Sequence, residues 1–242
     1  MSTASASSKK RKTLHDYFSS SSTSSDQSLN TSSKAVPPGL RVFQDFVNGE
    51  QEKQLLDFLD AQSWRTDLSR RTMHYGGTYC LMPPRGASAE ERKQVEQTII
   101  TAHPIPDELG FVVDLMIKHN LYTPESRPQY CIVNEYLHGQ GISAHVENFR
   151  FDEPVCSLTL AGGDYMRFHE LRSAHDGSVR SGKASTAPRT GVRKDVWLER
   201  RSLAVLTGDA RSKWQHEIVR GRKTGKLDGW RRVSLTFRTE KR

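Results

Sequence analysis

The sequence predicts an α+β architecture, with helices early in the chain packed on a curled antiparallel sheet built from its later part. Three observations predict it. Helical spacing of apolar residues falls between residues 48 and 119, β-prone segments follow from Tyr130 onward, and Gly, Asp and Arg turns separate those segments. Helices followed by strands suit one packed domain, and a double-sheet jelly roll with a ligand at its mouth fits this order. No segment of the chain repeats.

Residues 1–40 come first, and thirteen of them are Ser. Such a stretch cannot bury enough apolar surface to offset chain ordering, so a disordered tail is expected. Lys9-Lys10-Arg11-Lys12 is a basic cluster of the nuclear-import kind. Directly after it, Leu14, Tyr17 and Phe18 fall on one side of a single helical turn, a small plug for an apolar pocket. Residues 11–18 resemble the sliding-clamp-binding box of replication and repair proteins, with Arg11 where that box usually has Gln. The resemblance implies a clamp partner and a nuclear location, with the cytoplasm as a second place. Pro37-Pro38-Gly39 closes the linker.

The folded part is expected over 41–242. Asn48 with Gln51 signals a helix start, and Leu55, Leu56 and Leu59 give its apolar stripe. Residues 65–82 lack helical period and carry Arg70, Arg71, His74, Tyr75 and Tyr79 around Gly76-Gly77. These groups suit either a lid that stacks on a base and holds its phosphates, or a plain hairpin with its aromatics in the core. Ser88 and Glu91 form a capping box for a helix running to about Ala102. Leu109, Val112, Val113, Met116 and Ile117 mark one buried face of a helix from Asp107 to His119. Strands are expected at Tyr130–Tyr136, Val155–Leu160, Asp164–Phe168, Ser202–Thr207 and Arg232–Arg238. Residues 170–195, rich in Ser, Gly, Lys and Arg, are expected to form a mobile basic loop.

Charge and cysteines narrow the class. The net charge is +8; residues 211–242 alone carry +8 and residues 1–40 carry +3, which leaves 41–210 at −3. That asymmetry suits a polyanionic partner, nucleic acid first. Cys80, Cys131 and Cys156 form no CxxC pair and are odd in number, which favours a reducing compartment over a disulfide framework. No apolar run approaches the roughly 18 residues a membrane span needs, and no signal peptide is visible. No membrane partner is expected, and a monomer is.

The chemistry gathers in N-E-Y-L-H-G-Q-G-I-S-A-H-V-E, residues 134–147. His145 and Glu147 share one face if the segment is extended. Two His and one carboxylate make the ligand set of non-haem Fe(II) oxygenases, and His216 in K-W-Q-H-E-I is the candidate for the third donor. In the last strand Val233, Leu235 and Phe237 alternate with Arg232, Ser234, Thr236 and Arg238. A cationic face inside a barrel needs an anion, and a dicarboxylate would serve.

With those residues in place, the chain resembles the AlkB family of Fe(II)/2-oxoglutarate dioxygenases over roughly 41–242. The resemblance rests on residues 134–147, on R-R-S-L-A-V-L-T-G-D-A-R-S-K-W-Q-H, and on R-R-V-S-L-T-F-R. It implies a double-stranded β-helix, with Fe(II), 2-oxoglutarate and dioxygen as cofactor and co-substrates. His145, Glu147 and His216 would hold iron. Arg232 would pair with the distal carboxylate of 2-oxoglutarate, and Arg238 would lie near its metal-bound end. Asn134 and Tyr136 would hydrogen-bond the co-substrate, and Ser234 stands where the family often has Asn. The stretch containing His74 and Tyr75 corresponds to the nucleotide-recognition lid. Oxidative removal of alkyl groups from nucleic-acid bases would follow, DNA favoured over RNA, with tRNA or protein oxygenation and a non-catalytic adaptor as alternatives. Two positions depart from the pattern. Glu147 replaces the family's Asp, and Phe149 stands where DNA-acting members tend to place a second acid. Asp152, the nearest other carboxylate, has the wrong spacing from His145.

Overall fold

The computed structural model describes residues 36–79, 81, 83, 86–174, 187–221 and 229–241. The basic cluster at 9–12 and the plug residues Leu14, Tyr17 and Phe18 lie outside the described residues. The elements are β1 Leu40–Phe43, α1 Gly49–Asp60, β2 Arg71–Tyr75, β3 Thr78–Tyr79, α2 Ala89–Gln97, β4 Ile100–Thr101 and α3 Gly110–Lys118. There follow β5 Tyr130–Leu137, β6 Ile142–His145, β7 Val155–Leu160, β8 Asp164–Leu171, β9 Arg189–Leu198, β10 Leu203–Leu206, α4 Gly208–Ser212, β11 Trp214–Ile218 and β12 Arg231–Arg238.

Two sheets face each other as a double-stranded β-helix. The larger runs β1-β10-β7-β12-β5-β2, and the smaller β6-β11-β8-β9. β3 and β4 form a separate two-stranded ribbon. β12 sits between β5 and β7, with Ser234 opposite Asn134 on one side and Thr159 on the other.

The larger sheet has two differently dressed faces because side chains alternate along each strand. Val133, Leu158, Leu160, Val233, Leu235 and Phe237 point outward and are all fully buried under the helices. There they pack with Leu55 and Leu59 of α1 and Val112, Val113 and Met116 of α3. Each such side chain contributes about 1.5–3 kcal/mol by leaving water. Between the sheets a second cluster forms from Tyr136, Val155 and Leu206 of the larger sheet and Phe168, Leu198 and Trp214 of the smaller. The polar residues of β5, β7 and β12 share that inner space.

Both capping boxes form. Asn48 takes the N–H of Gln51 at 2.8 Å while Gln51 returns to the Asn48 N–H at 2.9 Å, and Ser88 and Glu91 do the same. A buried carboxylate ties α1 to the sheet: Glu52 takes Arg200 Nε at 2.7 Å and the Ala161 N–H at 2.8 Å. Arg71 chelates Glu135 through Nε at 2.6 Å and Nη2 at 2.8 Å, and Arg231 reaches the same carboxylate at 3.4 Å while also pairing with Asp60.

Two expectations need correction. The helix opened by Ser88 stops at Gln97 rather than about Ala102, because Thr98-Ile99-Ile100-Thr101 is rich in β-branched residues and Ile100–Thr101 becomes β4. The basic stretch 170–195 is only partly loop, since β8 extends to Leu171 and β9 begins at Arg189, paired with it. Residues 71–75 form an edge strand on β5, which both the lid and the hairpin reading of 65–82 allow. The turn after it needs glycine: a Cβ at Gly76, at φ +76°, would lie 1.8 Å from the Gln129 carbonyl oxygen.

Candidate metal centre

His145 closes β6 and stands directly opposite His216 of β11 in the antiparallel register. Their ring centroids are 4.4 Å apart. Glu147, two residues past His145, is buried and brings Oε1 to 3.5 Å from His216 Nε2. The ligating atoms of the three residues all lie within 4.8 Å of one another. Two neighbouring strands and one loop therefore deliver the donors, as the spacing predicts.

The surroundings prepare these groups for a cation. His145 Nδ1 donates to the Ser143 carbonyl at 2.8 Å, which leaves Nε2 as the nitrogen with a free lone pair. Burial, with the neighbouring His216, pushes the His145 pKa down to about 4, so the ring is neutral at pH 7. Burial alone would raise the Glu147 carboxyl, but Arg238 and His216 hold it well below the usual carboxylate range. Arg238 makes a two-point clamp, Nε to Oε2 at 2.8 Å and Nη2 to Oε1 at 3.1 Å. Arg211 fixes the loop behind Glu147 by donating to the carbonyls of Asn148 and Phe151.

A cavity opens beside the triad. It is lined by His145, Glu147, His216, Asn134, Tyr136, Arg232, Ser234 and Arg238, with Ile142, Val155, Met166, Leu206 and Ile218 as apolar wall. All eight residues expected to hold iron or the co-substrate thus meet at one place. Arg232 is 1% exposed. Its Nη2 donates to the Thr159 hydroxyl at 2.9 Å, its Nε has no partner among the described residues, and the Tyr136 ring lies 5.5 Å away. Burial lowers its pKa, yet a guanidinium stays protonated at neutral pH. The Asp164 carboxylate offsets part of the Arg232 charge, but among the described residues this buried guanidinium hydrogen-bonds to a neutral hydroxyl, so it can still take a further anion. His216 Nδ1 is likewise buried without a partner among the described residues. The donor set suits a divalent iron, and the cationic wall suits a small diacid.

The mouth divides the expected substrate residues. Thr72 and His74 of β2 stand opposite Asn134 and Ile132, on the cavity side of the sheet. His74 stacks on Tyr79 at 4.7 Å, and Arg65 lies over Tyr79 at 4.2 Å. Arg70 Nε donates to Asn134 Oδ1 at 2.7 Å. Arg71 and Tyr75 point the other way: Arg71 is committed to Glu135 and covers Trp64 at 4.9 Å, and Tyr75 packs against the helix-side core. The alternation of a strand separates them from the mouth. Phe149 is 52% exposed two residues past Glu147.

Sequence reasoning missed Thr159 and Ser157. The signal was present in V-C-S-L-T-L, where Val155, Ser157 and Thr159 share a face and all six residues are buried. Two hydroxyls inside a fully buried strand need polar partners, and Arg232 and Thr236 supply them, at 2.9 and 3.3 Å.

A model of the 2OG-Fe(II) oxygenase superfamily matches residues 39–238. The chain is 30% identical over 213 residues to the "Alkylated DNA repair protein ALKBH8 homolog" of Arabidopsis thaliana, covering 83% of this chain and 58% of that protein. It is 26% identical over 194 residues to the "tRNA (carboxymethyluridine(34)-5-O)-methyltransferase ALKBH8" of Mus musculus, covering 77% of this chain and 25% of that protein. The chain therefore spans little more than half of the first relative and a quarter of the second. The solved structure of OsALKBH1 superposes with a TM-score of 0.52 at 16% identity, over 84% of this chain and 99% of that one, a likeness of fold.

Proposed function

Because the chain belongs to the 2OG-Fe(II) oxygenase superfamily as an AlkB-like member, we propose that it oxidises alkyl substituents on nucleic-acid bases. The observation that carries this reading is the set of two imidazoles and one carboxylate, with Glu147 and His216 buried and His145 half-buried, in one cavity with the buried Arg232 guanidinium. His145, Glu147 and His216 would hold Fe(II). When bound, iron with 2-oxoglutarate supplies the oxidising chemistry: one atom of dioxygen ends in succinate, with release of CO2, and the other in a C–H bond of the substrate. Everything else is placement by the protein.

Arg232 would take the distal carboxylate of 2-oxoglutarate. Asn134, Tyr136 and Ser234 donate along its length, and Met166, Leu206 and Ile218 keep water out. Arg238 holds Glu147 ionised and oriented. On the cavity side of β2, His74 and Tyr79 offer flat faces, and Arg65, paired with Asp67, lies over the Tyr79 ring. A base in a duplex cannot reach such a cavity and must be flipped out, at a few kcal/mol, least for a damaged base. Hydroxylation of an N-methyl group then yields formaldehyde and the unmodified base.

The first substrate in this reading is alkylated DNA in the nucleus. The basic cluster at 9–12 and the clamp-like Leu14, Tyr17 and Phe18 support it. A tRNA base is the second, supported by exposed Phe149 in place of a second acid and by the name of the mouse relative. The test is succinate and formaldehyde release over a panel of methylated single-stranded DNA, tRNA and methylated peptide. Stimulation by DNA is expected; stimulation by tRNA alone would shift the reading to RNA, and stimulation by peptide alone would end both.

A further inference from the structure

We infer that Arg70 is a positioning residue for 2-oxoglutarate: it takes the carbonyl end of the Asn134 amide and so turns the amide's NH2 end toward the co-substrate. The inference rests on the placement of 2-oxoglutarate between Asn134 and Arg232. An Asn side chain has an acceptor end and a donor end of nearly the same shape, so sterics alone leave its polarity open. Arginine has donors only. Arg70 Nε lies 2.7 Å from Asn134 Oδ1, which commits that oxygen away from the cavity. The amide nitrogen has no hydrogen-bond partner among the described residues, and Asn134 lines the cavity.

Polarity matters because the expected occupant is a dianion. With the nitrogen forward, Asn134 presents two N–H donors to carboxylate or keto oxygens. With the oxygen forward, two lone-pair-bearing atoms would face each other in a dry pocket. Arg70 also lies 5.9 Å from the Tyr136 ring, so it backs two polar walls of the same cavity. It sits at the end of the loop before β2, in the stretch the sequence assigns to the nucleic-acid substrate. The geometry instead places its donor group behind the co-substrate site.

The experiment is a calorimetric titration of 2-oxoglutarate into the full chain loaded with Mn(II). Arg70→Ala and Asn134→Ala are each expected to bind about tenfold more weakly than the native chain. The double variant should bind no more weakly than Asn134→Ala, because the two act through one hydrogen bond. Arg70→Lys, which can donate to the same oxygen, should recover most of the loss. In turnover, the KM for 2-oxoglutarate should rise more than kcat falls, with the KM for the nucleic-acid substrate unmoved. Native affinity in Arg70→Ala would overturn the inference. So would a loss that persists in full on the Asn134→Ala background, since Arg70 would then act directly. Arg232→Ala serves as the separate arm: native affinity there would mean that the co-substrate placement itself is wrong.

Discussion

Glu147 answers to two cations. In the absence of metal its carboxylate is neutralised by the two-point clamp of Arg238, and in the proposed enzyme it must also face iron. Removing the clamp leaves a buried carboxylate with no guanidinium, a change that costs about 3–5 kcal/mol when one partner of a buried pair is lost. Arg238→Ala should therefore lower the thermal midpoint of the metal-free protein, and added Mn(II) should raise the midpoint more than it does in the native chain. An unchanged metal-induced gain would remove Glu147 from the ligand set. Arg232 lines the same cavity and donates to the Thr159 hydroxyl. Arg232→Ala should raise the KM for 2-oxoglutarate by about a hundredfold, the usual scale for truncating one side of a buried charge pair. At this scale the triad was legible because His145 and Glu147 are two apart in extended chain and His216 is preceded by a distinctive run. Thr159 was not, because a Thr in an apolar run is indistinguishable from ordinary strand composition until its neighbour across the sheet is known.

Among the elements, β2 carries the most information about the mouth. Its even and odd residues serve different layers, so Arg71 and Tyr75 belong to the packing under the helices while His74 faces the site. His74 is pushed down to about 4, by burial first and then by Arg65. Its unfolded value is about 6.5. Between those two values the unfolded chain binds more protons, so stability should climb with pH from about 4 to about 6.5 and be fully present above that. This one group accounts for about 3 kcal/mol across the window. Denaturant unfolding at a series of pH values should show the slope, and His74→Gln should flatten it by that amount. Strands were readable where alternation is clean, as in β12, or where an apolar run is bounded by turns, as in β7. β9 was hidden because Arg189-Thr-Gly-Val-Arg-Lys has a loop's composition; it is held as a strand by pairing with β8, through contacts such as Arg167 with Asp195 at 2.8 Å. The overshoot of α2 has the opposite cause: a good start signal says nothing about where β-branched residues will end the helix.

For the whole molecule, the order of helices then strands gave the architecture, and the three separated sequence blocks gave the site. Which sheet edge would take residues 71–75 was not readable, since that depends on the pairing of β2 with β5 across more than fifty residues. Among the described residues no helix is long and apolar enough to cross a membrane. The Ser-rich segment and the folded part are expected to act separately. Deleting residues 1–35 should leave the thermal midpoint and turnover on short oligonucleotides unchanged while reducing capture by immobilised sliding clamp; a lower midpoint would show that the tail contributes to folding.

One property of β12 reaches beyond catalysis. Arg232, Ser234, Thr236 and Arg238 look into the cavity while Val233, Leu235 and Phe237 look into oil. Parity along that strand is therefore a hard constraint on inheritance. Loss or gain of one codon between Arg232 and Arg238 would swap every later side chain to the wrong layer, driving guanidinium into hydrocarbon and phenyl into the diacid's seat. A change of two codons would keep the alternation and only shift reach. Length variation in related chains should avoid odd steps there and be absorbed at the strand's ends.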